Sequence, residues 1–560
     1  MRLRSRLTLL FTSCVAVLAL AAPMADGDWT TYHADGSLSG VDRSSGPAVP
    51  FAPAWTAANL NGAVWAEPLV YRGLVYVATE SNDIYAFNES NGAIVWHVNA
   101  GAPVPSSELP CGDISPTVGI TSTPVIDPGS GVLYAVADLS AGSSASHTLF
   151  AYNAGTGALI FSRSVEPPSD PLNQLQRESL ALDGGRVLVG FGGNDGDCAQ
   201  YKGFLVSAPE DNGGVNDIYA VPTSREGAIW SGGGSPAVDA AGNVYVPTGN
   251  ASNGPNQPFD HGNTLEKLSA TATELDYWAP STWAQDSASD ADLGSVSPEL
   301  LPGNLIYQGG KNGNGYLVSS TSLGHIGGDL FHAPVCASFG SDAYAAGILY
   351  VACSSGIRAL TVDTTAQRFS ARWTGPADAN GPPIVAGGRV WVTSTSDARL
   401  YGLDPGSGAV QVSQSTPAME HFVTPAASDG RLFLATGSTL NAYTIAAALT
   451  PPAATPPPTS NPPATTPPPK KPSLNLCRRR LSFALRVPKH ERIVRVAIYL
   501  GHRRIMVRRG SHLRRVLFAH PGTGRFTLRV VETPRHGRRI TVTVRFRNCR
   551  QLLPRRRRRR

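Results

Sequence analysis

The sequence predicts an all-β chain: an eight-bladed β-propeller over residues 26–447, a Pro-rich linker over 448–472, and a small basic β-sandwich over 473–550. Three observations carry this. A glycine-opened hairpin pattern recurs eight times, a proline-containing strand start precedes most copies, and a different set of alternating strands follows a run of prolines. Low charge (16% of residues) with 58 Gly and 45 Pro suits many short strands divided by turns.

Taken in order, the first 25 residues read as an export signal. Arg2, Arg4 and Arg6 form a basic end, Leu7 to Leu20 is apolar, and Ala19, Ala21 and Ala22 offer a cleavage point. The apolar core is too short for a comfortable membrane span. Apolar residues follow Cys14, which argues against a lipid anchor there. The expected location is therefore extracytoplasmic, secreted or associated with the cell envelope. Six cysteines remain after the signal, an even number that predicts disulfides in an exported protein. No pair has CxxC spacing, so no zinc site is expected. Cys336 and Cys353 are expected to bridge neighbouring strands, and Cys477 and Cys549 bracket the C-terminal domain. Cys111 with Cys198 is left by elimination.

The hairpin "GLVYVATESNDIYAFNESNGAIVW" starts at Gly73, with relatives at Gly131, Gly185, Gly242, Gly303, Gly347, Gly388 and Gly430. The steps are 58, 54, 57, 61, 44, 41 and 42 residues. About forty residues suit one four-stranded propeller blade, and the longer steps leave room for loops. In each copy alternate residues such as Val75 and Val77 face a neighbouring sheet, and a turn such as "GTGALI" leads into a further strand. One such sheet cannot bury both faces alone, whereas eight arranged radially bury each against the next. The stretches "EPLV", "TSTPVID", "GSPAVD", "VSPELL", "NGPPIV" and "VTPAA" are expected to form the innermost strands. Trp29 to Ala57 would supply the strand that closes the ring.

This repeat, "vYvat.d..iyAfn...G..vW", resembles the pyrroloquinoline quinone (PQQ) enzyme repeat over roughly residues 29–446. The resemblance implies the eight-bladed quinoprotein alcohol dehydrogenase-like propeller. That family includes alcohol, glucose and polyvinyl-alcohol dehydrogenases as well as noncatalytic envelope scaffolds, so membership leaves activity open. It also implies candidate site residues. Family dehydrogenases hold calcium through a Glu, an Asn and an Asp, and the Asp doubles as catalytic base. Asp195 in "GFGGNDGDCAQYKGF" stands where the Glu is expected, Asn250 in "VYVPTGN" matches the Asn, and Asp292 or Asp290 in "SDADLGS" matches the Asp. Lys311 falls where a basic residue would contact the quinone, and Trp230 lies near the ring-stacking Trp. The chemistry suits these types: calcium takes oxygen donors and polarises the quinone carbonyl, while a carboxylate removes the substrate's hydroxyl proton.

The departures weigh equally. No two cysteines are adjacent, no CxxCH haem motif occurs, and "WAEPLVYRG" puts Glu67 and Pro68 where the family has a quinone-binding Arg. The leading reading is thus an exported binding or scaffold protein. The alternative is a PQQ- and calcium-dependent dehydrogenase of alcohols, sugars or polyvinyl alcohol. Each candidate also has a purely structural reading. Asn250 suits a left-handed turn, Asp290 and Asp292 suit turn bracing, and Asp195 and Asp197 suit a solvated loop. Lys311 suits a rim charge. Trp65, Trp96, Trp230, Trp373 and Trp391 suit blade packing, and His33, His261 and His421 have no spacing that implies a metal or triad.

The net charge of +6 divides unevenly. Residues 1–472 hold 20 Lys+Arg against 39 Asp+Glu, and residues 473–560 hold 27 against 2. Between them, "PPAATPPPTSNPPATTPPPKKP" favours an extended, semi-rigid spacer. Beyond it, Ile540, Val542, Val544 and Phe546 alternate with Thr541, Thr543, Arg545 and Arg547, a period of two. The basic domain and its poly-Arg tail (551–560) are expected to hold the propeller near anionic cell-envelope polymers or lipid head groups. Nucleic acid would meet the same charge, but export and the lack of any nucleic-acid motif leave no such partner expected.

Overall fold

In the computed structural model, the described residues are 27–142, 144–448 and seven strands between 481 and 552. The chain divides into two compact units, a large N-terminal one and a C-terminal one. The signal segment, the proline run, the poly-Arg tail and the expected Cys477–Cys549 pair lie outside the described residues. No helix among the described residues is long and apolar enough to cross a membrane.

The large unit is an eight-bladed β-propeller. Blade 1 pairs Leu69–Tyr71, Leu74–Ala78, Asp83–Asn88 and Ile94–Asn99 in sequence order, all antiparallel. The predicted hairpin is its second and third strands, with Tyr76 opposite Ala86. The same order repeats through blade 7, with inner strands at Val125–Asp127, Ala181–Asp183, Ala237–Val238, Glu299–Leu301, Ala343–Ala345 and Ile384–Ala386. Blade 4 gains a short parallel fifth strand, His325–Ile326.

Blade 8 is completed from the other end of the chain. Ala426–Ser428, Arg431–Thr436 and Thr439–Ala448 supply three strands, and Ser45–Ala57 pairs along Thr439–Ala448 as the outermost. The last blade is thus fastened to the start of the chain by strand pairing.

Upstream of that strand, the segment Trp29–Gly40 crosses the hub. Its carbonyls at Trp29, Thr30, Gly36, Ser37, Ser39 and Gly40 accept the N–H groups of Val70, Ile126, Val238, Leu300, Tyr344 and Val385 at 2.7–3.2 Å. Each donor is an inner-strand residue, and the six belong to six different blades. Innermost strands have one unpaired edge, and buried N–H groups need acceptors. This one segment supplies six of them.

Neighbouring blades are linked by a repeated aromatic contact. The Trp96 indole N–H, on the outer strand of blade 1, donates to Ala154 O in the last turn of blade 2 at 2.8 Å. Trp373 does the same to Pro405 O (3.0 Å), and Trp55 to Glu89 O (2.9 Å), across the seam between blades 8 and 1. Each indole lies against a turn glycine, Gly157, Gly408 and Gly92, where a Cβ would come within 2.8 Å of the ring. The repeat's tyrosine reaches the same turns: Tyr76 OH donates to Ala154 O (3.1 Å) and Tyr134 OH to Glu210 O (2.9 Å). So the "vYv", "G" and "W" positions of the repeat form one inter-blade joint.

The two described disulfides match the expected pairings. Cys336–Cys353 ties the end of blade 5 to blade 6, and Cys111–Cys198 ties the blade 1–2 connection to a loop of blade 3. In the C-terminal unit, five strands pair antiparallel around Ile493–Leu500, Arg525–Pro534 and Ile540–Arg547, and Leu481–Ala484 pairs with Arg515–Phe518.

Replacing Trp96 with Ala should cost about 3–5 kcal/mol, the range for truncating a buried Trp. Trp96→Phe should cost far less, because Tyr76 still donates to Ala154 O. Urea unfolding checks both. Equal losses in the two variants would show that the indole N–H, not the packing, holds the joint.

Candidate functional site

Residues just before an inner strand and just after the second strand of a blade lie at the same end of the propeller, because the two strands are antiparallel. At that mouth of the hub these segments enclose a cavity of ≈ 320 Å³. Trp65 comes from blade 1, Arg177 from blade 3, Trp230 from blade 4, Asp292 from blade 5, and His421 with Phe422 from blade 8. Asp195, Asp197 and Tyr201 follow the second strand of blade 3, and Lys311 follows that of blade 5.

Of the residues singled out in the sequence, Asp195, Trp230, Asp292 and Lys311 all line this cavity. Asn250 is not part of the lining but touches it: its N–H donates to Asp292 Oδ1 at 2.6 Å. Its side-chain amide donates to Asp290 Oδ1 (2.7 Å), and its Oδ1 accepts from Asn263 Nδ2 (3.2 Å). Lys311 Nζ stands 3.1 Å from Asp292 Oδ2 and 3.2 Å from Asp290 Oδ1. Burial raises the Asp292 carboxyl above its ordinary range, opposed by Lys311 and the Asn250 N–H. Burial pulls the Lys311 ammonium down, but Asp292 and Asp290 outweigh it and hold the group above its ordinary value. Among the described residues no hydrogen bond or ion pair joins Asp195 to Asp292 or Asn250.

The two lining tryptophans each have a cation against the ring. Lys311 Nζ sits 5.7 Å from the Trp230 centroid, and Phe422 meets the same indole edge-on at 6.2 Å. The Arg177 guanidinium sits 5.3 Å from the Trp65 centroid and 5.9 Å from Phe422. Both contacts have cation–π geometry. Trp65 had a packing role in the sequence reading; in the structure it is a wall of the cavity.

Arg177 is the functional residue that the sequence did not point to. It is 6% exposed, yet its only hydrogen bond among the described residues is a long one, Nη2 to His421 O at 3.4 Å. No carboxylate lies within ion-pair range of it among the described residues. Burial lowers its pKa, with Glu80, Tyr32 and Asp113 pulling the other way. A lone Arg in "QLQRESL" carries no motif, so only the fold reveals where it points.

Around it two of the lining acids have partners. Tyr201 OH donates to Asp197 Oδ1 (2.6 Å), and His421 Nδ1 lies 3.4 Å from Asp113 Oδ2. Cys111–Cys198 braces this rim, its sulfur close to Gly196 of the Asp195–Asp197 loop. Behind the cavity, Glu178 accepts from Ser231 Oγ (2.7 Å), and burial pushes its carboxyl up to about 8. Burial likewise pushes Glu80 up to about 8, against bonds from the Gly119 N–H (2.7 Å) and Thr121 Oγ1 (3.0 Å).

The fold and site together define the class: an eight-bladed propeller with a polar, aromatic-walled cavity at a mouth of its hub. A family model described as outer membrane protein assembly factor BamB, of the PQQ-like repeat type, matches residues 34–307. The chain is an eight-bladed propeller whose residues 34–307 match the PQQ-like repeat. No curated protein matches it in sequence. Among solved structures it is similar to the quinohemoprotein alcohol dehydrogenase of Comamonas testosteroni, with 15% identity, 76% of this chain and 82% of that one covered, and TM-score 0.59. It is also similar to the quinohemoprotein alcohol dehydrogenase ADHIIG of Pseudomonas putida HK5 (14%, 79% and 84%, 0.56) and to a europium-containing methanol dehydrogenase (14%, 75% and 98%, 0.56). At these identities the likeness establishes the shared fold.

Glu80 provides a test of the buried acids. Its folded pKa, about 8, lies above the ordinary 4.5. Its contribution is therefore fully present below pH 4.5 and is lost as pH rises toward 8. Glu80→Gln should flatten part of the fall in Tm between pH 4.5 and 8. A fall as steep in the variant as in the wild type would show that Glu80 is ionised in the fold.

Proposed function

We propose that this is an exported, noncatalytic propeller that binds a small organic anion in its hub-mouth cavity. The observation that carries the reading is Arg177, a buried guanidinium lining the cavity with its donors almost unused. A carboxylate would pair with it in the bidentate manner Arg favours, flanked by Trp65 and Phe422. Asp195 and Asp197 then offer acceptors for hydroxyl or amino groups on the same ligand.

The residues as arranged do not fit a calcium–quinone pair. The oxygens of Asp292 already hold Lys311 and the Asn250 N–H, and Asn250 Oδ1 holds Asn263. The Trp230 ring, which a flat quinone would need open, meets Lys311 and the edge of Phe422. The lining's four aspartates (113, 195, 197 and 292) outnumber Arg177 and Lys311, which disfavours a tricarboxylate. What favours the dehydrogenase reading is that Asp292, Lys311 and Trp230 do share one cavity.

Calorimetry on the secreted chain separates the two. Small hydroxy- and amino-carboxylates should bind, and Arg177→Met should weaken that binding roughly 10–100-fold, the range for a lost charge-assisted hydrogen bond. Binding of PQQ with calcium, together with dye reduction by alcohols or sugars that is lost in Asp292→Asn, would replace this reading with the dehydrogenase.

The C-terminal region, with 27 Lys+Arg against 2 Asp+Glu over residues 473–560, is proposed to keep the propeller near anionic cell-envelope polymers or lipid head groups. Retention on anionic wall material should fall steeply with salt and vanish when residues 473–560 are deleted. Equal retention of the full and shortened chains would sink the tether.

A further inference from the structure

Two charged side chains of the cavity without an ion-pair partner lie at different depths. Arg177 is 6% exposed, and its guanidinium packs so closely on Gly233 that a Cβ there would collide with it. Asp195 is exposed, and among the described residues it makes no hydrogen bond or ion pair.

The backbone sets the distance between them. Leu175 and Gly192 exchange both backbone hydrogen bonds, at 2.8 and 3.0 Å, as an antiparallel bridge. The two segments run in opposite directions from that bridge. Arg177 therefore stands near Gly190, whose carbonyl accepts from the neighbouring Gln176 Nε2 at 3.4 Å. Asp195 stands near Leu172, whose carbonyl accepts from the neighbouring Asn194 Nδ2 at 2.9 Å. Gly190 and Asp195 are five positions apart in the chain, so at extended-strand rise the two backbones are on the order of 15 Å apart. Even with a long arginine reaching inward, the two charges stay several bonds' length from each other.

The loop that carries Asp195 is braced on both sides. Asn194 is tied to Leu172, Asp197 to the Tyr201 hydroxyl at 2.6 Å, and Cys198 to Cys111. The charges of the lining also do not balance. Asp113, Asp195, Asp197 and Asp292 face Arg177 and Lys311, and Lys311 is already paired with Asp292. His421, 3.4 Å from Asp113, offsets one more acid when protonated. A ligand that is only an anion adds to the negative surplus, whereas one that brings a cation with its carboxylate does not.

We infer that the ligand is a zwitterion whose charges stand several bonds apart, its carboxylate on Arg177 and its ammonium on Asp195. This is the chemistry of a short peptide or an ω-amino acid. The inference rests on the anion-site reading above, because it takes the Arg177–carboxylate pair as given. The cavity of ≈ 320 Å³ has room for such a molecule, and Trp65, Trp230, Phe339 and Phe422 give its uncharged middle apolar walls. A free α-amino acid, with both charges on one carbon, reaches only one end.

The test is a titration of the secreted chain with alanyl-alanine and 6-aminohexanoate, with the N-acetylated form of each, and with free alanine. The two extended zwitterions should bind roughly 10–100-fold more tightly than their acetylated forms, the range for a hydrogen bond to a charged group. Free alanine should bind more weakly than either. Asp195→Asn, a change at an exposed position, should erase the advantage of the amine over the acetamide. The tighter of the two zwitterions identifies the source, peptide or ω-amino acid. Acetylated probes that bind as well as the free amines, or an advantage that survives Asp195→Asn, would overturn the zwitterion and leave the carboxylate at Arg177 standing. Alanine binding as tightly as alanyl-alanine would overturn the spacing. If no probe binds, or Arg177→Met binds them all as the wild type does, the anion-site reading falls and this inference with it.

Discussion

The architecture depends on how the ring is closed. A propeller of like sheets has no intrinsic reason to stop at eight blades or to fasten its last blade to its first. Here a single stretch, Trp29 to Ala57, does both tasks. Its first half takes the inner-strand amides of six blades, and its second half becomes the outer strand of blade 8. Trp55 on that strand then makes across the seam the same indole-to-turn contact that Trp96 and Trp373 make elsewhere. Because the contacts span residues hundreds of positions apart, closing the ring carries a large loop-closure cost. Many small joints of one kind offset it.

That closure also explains the electrostatics of the hub. The crossing segment brings His33 into the interior, where burial holds its ring down at about 4, and the His33 N–H donates to Glu67 Oε2 at 2.9 Å. Glu67, Glu80, Glu178, Glu299 and Asp342 are all buried, and burial raises every one of them. Carboxyls held near neutral in this way place little negative charge behind the cavity. Arg177 has no ion-pair partner among the described residues, and Glu80 and Asp113 act on it only from a distance, which leaves its donors available to a ligand. Glu67, standing where a quinone-binding arginine was expected, is part of the hub's structure and not of the cavity lining.

The fold was legible in the sequence because its determinants are local. Period-two strands, a glycine turn and a Trp recur within about forty residues, and each half of the inter-blade joint lies inside one repeat. The predicted inner strands and the ring-closing segment stand where the repeat placed them. The hub crossing by Trp29–Gly40 was not legible, since that stretch has no strand periodicity and pairs one residue per blade. The candidate site was legible in half. Asp195, Trp230, Asp292 and Lys311 sit in motifs with fixed offsets from blade strands, so they arrived together. Arg177 and Trp65 sit in loops without a motif, and only the radial arrangement brings them face to face.

The same reasoning shows why site chemistry can drift on this scaffold while the fold persists. The joints that fasten the blades lie in strands and outer turns, and the cavity residues lie in loops at one mouth. A change such as a shorter acid at Asp195, or an arginine at 177, leaves every inter-blade joint intact. What it alters is which charges are satisfied internally. Lys311 lies between Asp290 and Asp292, so a cationic side chain already occupies the acids that would otherwise seek a metal. With that pair closed, two charges at the mouth still lack an ion-pair partner among the described residues, Arg177 and Asp195, and a ligand that carries a carboxylate and a hydroxyl or amino group would answer both.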